Sequence, residues 1–133
     1  MTWILVPVSV GELLDKLTVL EIKTERIADP VKLKNIRKEL RELRRAWEAS
    51  PYVGADIVSF REELRKVNET LWEIDDYLRI KESEGAFDDQ FIELARSEYQ
   101  NRDRRADLIR MIDQQVGSEY TVEKSYPSYS AAS

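Results

Sequence analysis

Between Ile57 and Leu78 the apolar residues fall at Ile57, Phe60, Leu64, Val67, Leu71, Ile74 and Leu78. The spacing alternates between three and four, which is the a/d signature of a helix packing along a narrow seam. Continued to Glu84, such a helix would be roughly 40 Å long. No other stretch is both this long and this regular, so the rest of the chain is expected to organise around it. With 133 residues the chain suits a single domain. Its 42% apolar and 35% charged content fits a thin helical bundle, because a/d seams need few apolar residues and leave the remaining faces charged.

The start and stop chemistry predicts three more helices. Ser9-Val10-Gly11-Glu12 is a capping box, in which the hydroxyl and carboxylate of the outer residues each bond the other's amide. The helix it opens should run to about Ile27, with Val10, Leu13, Leu17, Leu20, Thr24 and Ile27 as its seam and Leu14 beside it. Glu21 falls inside that apolar arc, either as a rim carboxylate on a wet seam or as a buried, paired one. Asp29-Pro30 caps and starts a second helix, with Leu33, Ile36, Leu40, Leu43 and Trp47 as its stripe. The short connection makes the first two helices an antiparallel hairpin. Between Lys32 and Arg45 stand seven basic and two acidic residues, read as a solvated face or as a dock for an acidic or phosphate-bearing partner. Ser50-Pro51 and Gly54 break the chain before the long third helix. Gly85 ends that helix, Asp88 caps a fourth with Phe87 placed to staple onto Ile92, and Gly117 terminates it. The expected fold is all-α: an antiparallel bundle of four long helices in one domain over residues 1–126. A short extended arm, Trp3 to Val8, precedes it, and a partly ordered C-terminal tail is disordered over 127–133. Tyr120, Val122 and Lys124 alternate with Thr121 and Glu123, a pattern that would let a short strand pair with the arm.

The fourth helix carries a polar interruption. Phe91, Ile92, Leu94 and Ala95 begin its apolar face, and Ala106, Ile109, Ile112 and Val116 resume it. Arg96, Tyr99, Asn101, Arg102 and Arg105 occupy the turns between. An antiparallel turn at Gly85 would set Arg105 near Asn68, Asn101 near Trp72, and Arg96 and Tyr99 near Asp75, Asp76 and Tyr77. Polar residues then meet polar residues in a hydrogen-bonded layer. One reading makes that layer a device fixing helix register. The other makes it a pocket for an anion, with Arg96, Arg102 and Arg105 as clamps.

Composition removes several chemistries. The sequence contains neither cysteine nor histidine, which excludes Cys nucleophiles, His bases, disulfides and the usual zinc ligands. A net charge of −5 argues against a uniformly basic nucleic-acid binder. The apolar run at residues 3–8 is too short to span a membrane and lacks the basic flank of a signal peptide. A cytoplasmic protein without membrane or nucleic-acid partners is expected, and no metal or cofactor is implied.

Several segments together resemble one bacterial domain family of unknown function. They are Ser9 to Lys23 (SVGELLDKLTVLEIK), Val67 to Asp75 (VNETLWEID), Phe91 to Arg96 with Asn101 to Ala106, and Gly117-Ser118 with Glu123 to Tyr126. The resemblance covers most of the chain from Ser9 to Tyr126. It implies a small helical domain found alone or near glycosyltransferase-type and tetratricopeptide-type proteins, with no activity attached. It also implies recurring polar positions at Glu12, Asp15, Lys16, Lys23, Asn68, Trp72, Arg96, Asp103, Arg105, Lys124 and Tyr126. Lys124 and Tyr126 lie beyond the last helix, which suggests that the tail docks back over the polar layer.

Three functions fit these residues, and whether the chain is an enzyme stays open among them. The first is a non-catalytic module that oligomerises, as a homodimer, or binds a protein. Large side chains off the seams, at Val19, Ile22, Trp72 and Tyr77, suit a second subunit. The second is a small-anion enzyme or sensor resembling chorismate-mutase-type bundles, with Lys16, Lys23, Arg96 and Arg105 as clamps and Glu21 or Asp75 as acid or base. The third is a Mg²⁺-dependent all-helical nucleotide pyrophosphohydrolase, for which Glu12/Asp15, Glu39/Glu42 and Glu73/Asp76 mimic the required spacing.

Overall fold

A computed structural model describes residues 3–118 together with 123, 125 and 127–129. Four helices follow in order: α1 (Val10–Arg26), α2 (Pro30–Glu48), α3 (Val58–Glu84) and α4 (Asp89–Val116). There is no strand among the described residues, so the fold is all-α, as the periodicity implies.

The expected ends are all present. Ser9 accepts from the Glu12 amide at 3.1 Å while Glu12 accepts from the Ser9 amide at 3.0 Å, completing the capping box. Asp29 accepts from the amides of Val31 and Lys32, with Pro30 at the first helical position. Asp88 accepts from the Phe91 amide at 3.0 Å. Gly85 and Gly117 close α3 and α4 with φ of 64° and 66°, the left-handed conformation that costs an L side chain dearly. The staple differs from expectation: Phe87 meets Phe91 edge-on at 5.2 Å, and Ile92 is left half exposed.

The organising element is α1, not α3. α1 packs against each of the other three helices, α3 and α4 pair with each other, and α2 rests on α1. Its buried residues therefore surround it. Leu14, Leu17, Leu20 and Ile22 are all buried, as are Thr18 and Asp15. Leu13, Thr24 and Ile27, placed on the seam by sequence, are half-buried, and Ile22, read as free for a second subunit, is fully enclosed. A one-faced reading fails here because a central helix is covered on several sides. The α3 seam fares better: Ile57, Leu64, Leu71 and Ile74 are buried, with Phe60, Val67 and Leu78 half-buried.

At 17 residues, α1 spans about 25 Å, whereas α3 and α4, at 27 and 28 residues, span about 40 Å. Contacts from α1 run from Gly11 against Asp113 at one end to Arg26 against Glu73 at the other. Beyond Glu73 the α3–α4 hairpin therefore extends past the body. The arm at residues 3–8 is neither helix nor strand, and Trp3, Ile4 and Leu5 line a groove with α2 residues Asn35, Lys38, Leu43 and Ala46. The strand proposed for residues 120–124 falls almost wholly outside the described residues.

Candidate functional site

The buried polar layer exists, and its centre is Asp15. This carboxylate is 5% exposed. Arg105 grips it with two nitrogens, Nε at 2.9 Å to Oδ1 and Nη2 to Oδ2. Asn68 donates from Nδ2 to Asp15 Oδ1 and to Thr18 Oγ1, each at 2.9 Å. The Thr18 hydroxyl donates back to the Asp15 carbonyl at 2.8 Å. Three helices thus meet at one knot: α1 supplies Asp15 and Thr18, α3 supplies Asn68, and α4 supplies Arg105. Asp15 and Thr18 share a face because three residues separate them on a helix. Donation to the Asp15 carboxylate raises the pKa of the Arg105 guanidinium, and this outweighs the opposing effect of burial.

Two members of the knot, Asp15 and Arg105, line a cleft of about 500 Å³ beside α1 and α4. Lys16, Arg102 and Arg105 line it, and so do Glu12, Asp15 and Glu123. Most of these charges are already engaged. Arg102 pairs with Glu98 at 2.7 Å and with Asp75 at 3.6 Å. Glu12 serves the α1 cap, and Glu123 reaches Arg110 at 3.5 Å. Lys16 is exposed on the rim.

The register expected from the Gly85 turn holds where it can be read. Arg104 pairs with Glu63, Arg102 with Asp75, and Lys81 with Asp88. Arg105 and Asn68 meet, through Asp15. The outer part of the layer does not assemble. Asp75 takes Arg102 as its partner, Arg96 is exposed, and Tyr99 meets Tyr129 edge-on at 5.1 Å. Asn101 turns its amide to the Ser97 carbonyl of its own helix. Trp72 and Lys23 are half-buried and belong to neither knot nor cleft. Arg102 and Arg105 thus border one cleft, and Arg96 lies outside it. Lys124 and Tyr126 lie outside the described residues.

Glu21 is a paired carboxylate with a side chain 20% exposed, held by Arg61 at 3.1 Å and Arg65 at 3.3 Å. Arg65 also takes Glu25 and Glu69, and these two bonds, Glu25 first, raise its pKa. This is a second α1–α3 fastening, on the far side of Thr18 from the Asp15 end. The pyrophosphohydrolase spacings do not assemble: among the described residues no three carboxylates converge on one point. Asp15 is bound to Arg105, and Glu39 and Glu42 border the arm groove instead.

Sequence reasoning missed two contacts. The Gly11 amide donates to the buried Asp113 Oδ1 at 2.7 Å, and a Cβ on Gly11 would lie 2.4 Å from the Ile109 carbonyl oxygen. A glycine inside the first turn of a helix is itself a signal of close approach. Thr18 was missed because a small polar residue among leucines leaves no periodic trace.

The geometry defines an all-helical domain whose inward charges fasten its helices to one another. Residues 4–132 match the model of a family of unknown function (DUF6165), and the chain belongs to that family. No curated protein and no solved structure matches it. No helix among the described residues is long and apolar enough to cross a membrane.

Proposed function

We propose that this chain is a non-catalytic interaction module that associates with itself as a homodimer, in a cytoplasmic setting. The observation that carries the reading is the apolar surface left open while the buried knot of Asp15, Asn68 and Arg105 is internally paired. Trp3, Ile4, Leu5 and Val6 are 58, 91, 87 and 66% exposed, four large apolar residues in succession. Single exposed apolar residues are ordinary, but contiguous ones mark contact surfaces. Tyr77, Ile80, Phe87 and Ile92 are further exposed apolar residues on the projecting hairpin. Inside, Arg105 and Arg102, the cations best placed for catalytic or ligand chemistry, already hold carboxylates of the same chain. Sedimentation velocity from about 1 to 100 µM tests the proposal. A mass of about twice the 15.6 kDa chain supports it, and a monomer throughout refutes it.

One observation favours a second reading. Lys16 and Arg105 share a cleft of ligand size, and Lys16 has no ion-pair partner among the described residues. A small anion that raised the unfolding temperature of the protein but not of Lys16→Gln would move the function to that cleft.

A further inference from the structure

The charge of this protein is segregated. On α2, seven Lys and Arg stand against three Glu, a net of +4 on an acidic chain. From Asp75 to Glu93, around the hairpin tip, seven Asp and Glu stand against two Lys and Arg, a net of −5. Neither set is fully neutralised by ion pairs among the described residues. Among the described residues the only ion pair made by an α2 cation is Arg45 with Glu42, and Lys34, Arg37 and Arg41 are exposed. At the tip, Asp76, Glu82 and Glu84 are exposed without an ion-pair partner among the described residues.

Both surfaces also carry apolar groups between their charges. Asp76, Tyr77, Ile80 and Glu84 fall on one helical stripe, and Tyr77 and Ile80 are 58 and 50% exposed. On α2, Val31 is 72% exposed, and the stripe beside it borders the groove lined by Trp3 and Leu5. The two surfaces cannot satisfy each other within one chain. α2 packs on α1 alone, and the tip projects beyond the end of α1.

We propose that the acidic hairpin tip of one copy docks on the basic α2 face of a second copy, and reciprocally, so that one two-fold axis makes both contacts. The occupant is a second copy because each surface carries the charge that the other lacks. A reciprocal pairing also closes the assembly, where a one-way contact would continue as a filament. Tyr77 and Ile80 supply the apolar centre of each contact, and the charges around them set its register and its sensitivity to salt. This inference rests on the self-association proposed above and names the surfaces that bring it about.

A charge swap tests it. One variant carries Lys34→Glu, Arg37→Glu and Arg41→Glu, so that α2 and tip are both acidic. The other carries Asp76→Lys, Glu82→Lys and Glu84→Lys, so that both are basic. All six positions are exposed, and Lys, Arg and Glu have similar helix propensities, so circular dichroism should match wild type. Each variant alone should sediment as a monomer at a concentration where wild type is a dimer, and an equimolar mixture should recover the dimer. Recovery is the readout that misfolding cannot imitate. Two variants that each remain dimeric would overturn this inference while leaving homodimerisation intact. A wild-type monomer would overturn both. Wild-type binding to anionic vesicles without self-association would assign the α2 face to lipid and also overturn it.

Discussion

Arg105→Ala should be among the most damaging single substitutions in this protein, and it should hurt more than removing its partner. Asp15 is 5% exposed and depends on two Arg105 nitrogens, with Asn68 supplying its remaining side-chain contact. Removing one partner of a buried pair costs about 3–5 kcal/mol, because the other charge stays buried and uncompensated. The Arg105 side chain is 32% exposed and borders a cleft, so solvent screening lowers the figure to about 2–3 kcal/mol. In Asp15→Ala the stranded group is the guanidinium, which can turn into the cleft and be hydrated, and the loss should be about 1–2 kcal/mol. The double variant should lie close to Asp15→Ala and above Arg105→Ala in stability, because it strands neither charge. For a domain of this length 2–3 kcal/mol is a fall of roughly 8–12 °C in Tm. Urea denaturation of the four proteins closes the cycle. Losses that simply add, or an Arg105→Ala loss under about 0.5 kcal/mol, would refute the knot as a structural unit.

Three further outcomes follow from the packing. Gly11→Ala should destabilise by about 2–3 kcal/mol in the same assay, since its Cβ would lie 2.4 Å from the Ile109 carbonyl oxygen, and backbone on both sides resists the shift. Arg65→Ala, which removes partners Glu21, Glu25 and Glu69 at a partly exposed site, should cost less than about 1 kcal/mol at 0.1 M salt and less again at 1 M. The Asp88 carboxyl is held below its ordinary value of 3.8, first by the bond from Lys81 and then by the Phe91 amide. A depressed carboxyl stabilises above its unfolded pKa and loses that effect as pH falls through its folded one. The first turn of α4 should therefore loosen below about pH 3.8, and Asp88→Asn should remove that part of the acid response, read by amide exchange at Phe91.

The fold was legible wherever its determinants were local. Ser9 with Glu12, Asp29 with Pro30, and Asp88 each act within three residues, and Gly85 and Gly117 mark left-handed turns that few other residues accept. The α3–α4 register followed from the turn itself. The role of α1 was not legible, because burial on several sides erases the contrast between faces on which periodicity depends. Asp15 stood out in sequence only through a spacing to Glu12 and a family resemblance. The partner that defines it lies 90 positions away, and nothing local distinguishes a carboxylate that turns inward from one that stays wet. The inner half of the polar layer was anticipated through Asn68 and Arg105. Its outer half does not form at Arg96, Tyr99 and Asn101: Arg96 is exposed, Asn101 turns to its own helix, and Tyr99 packs against Tyr129.

Asp15, Asn68 and Arg105 bind one another, and the role proposed for these inward charges is to hold helices together rather than a ligand. The decisive measurement is thermal unfolding against phosphate, small carboxylates, nucleotides and sugar nucleotides, with and without Mg²⁺. A ligand at a hundred times its dissociation constant adds about 2.7 kcal/mol, a rise of roughly 10 °C here. The Tm should be unchanged across the panel. A rise of several degrees with one anion, absent in Lys16→Gln, would contradict it and make the cleft beside Asp15 a binding site.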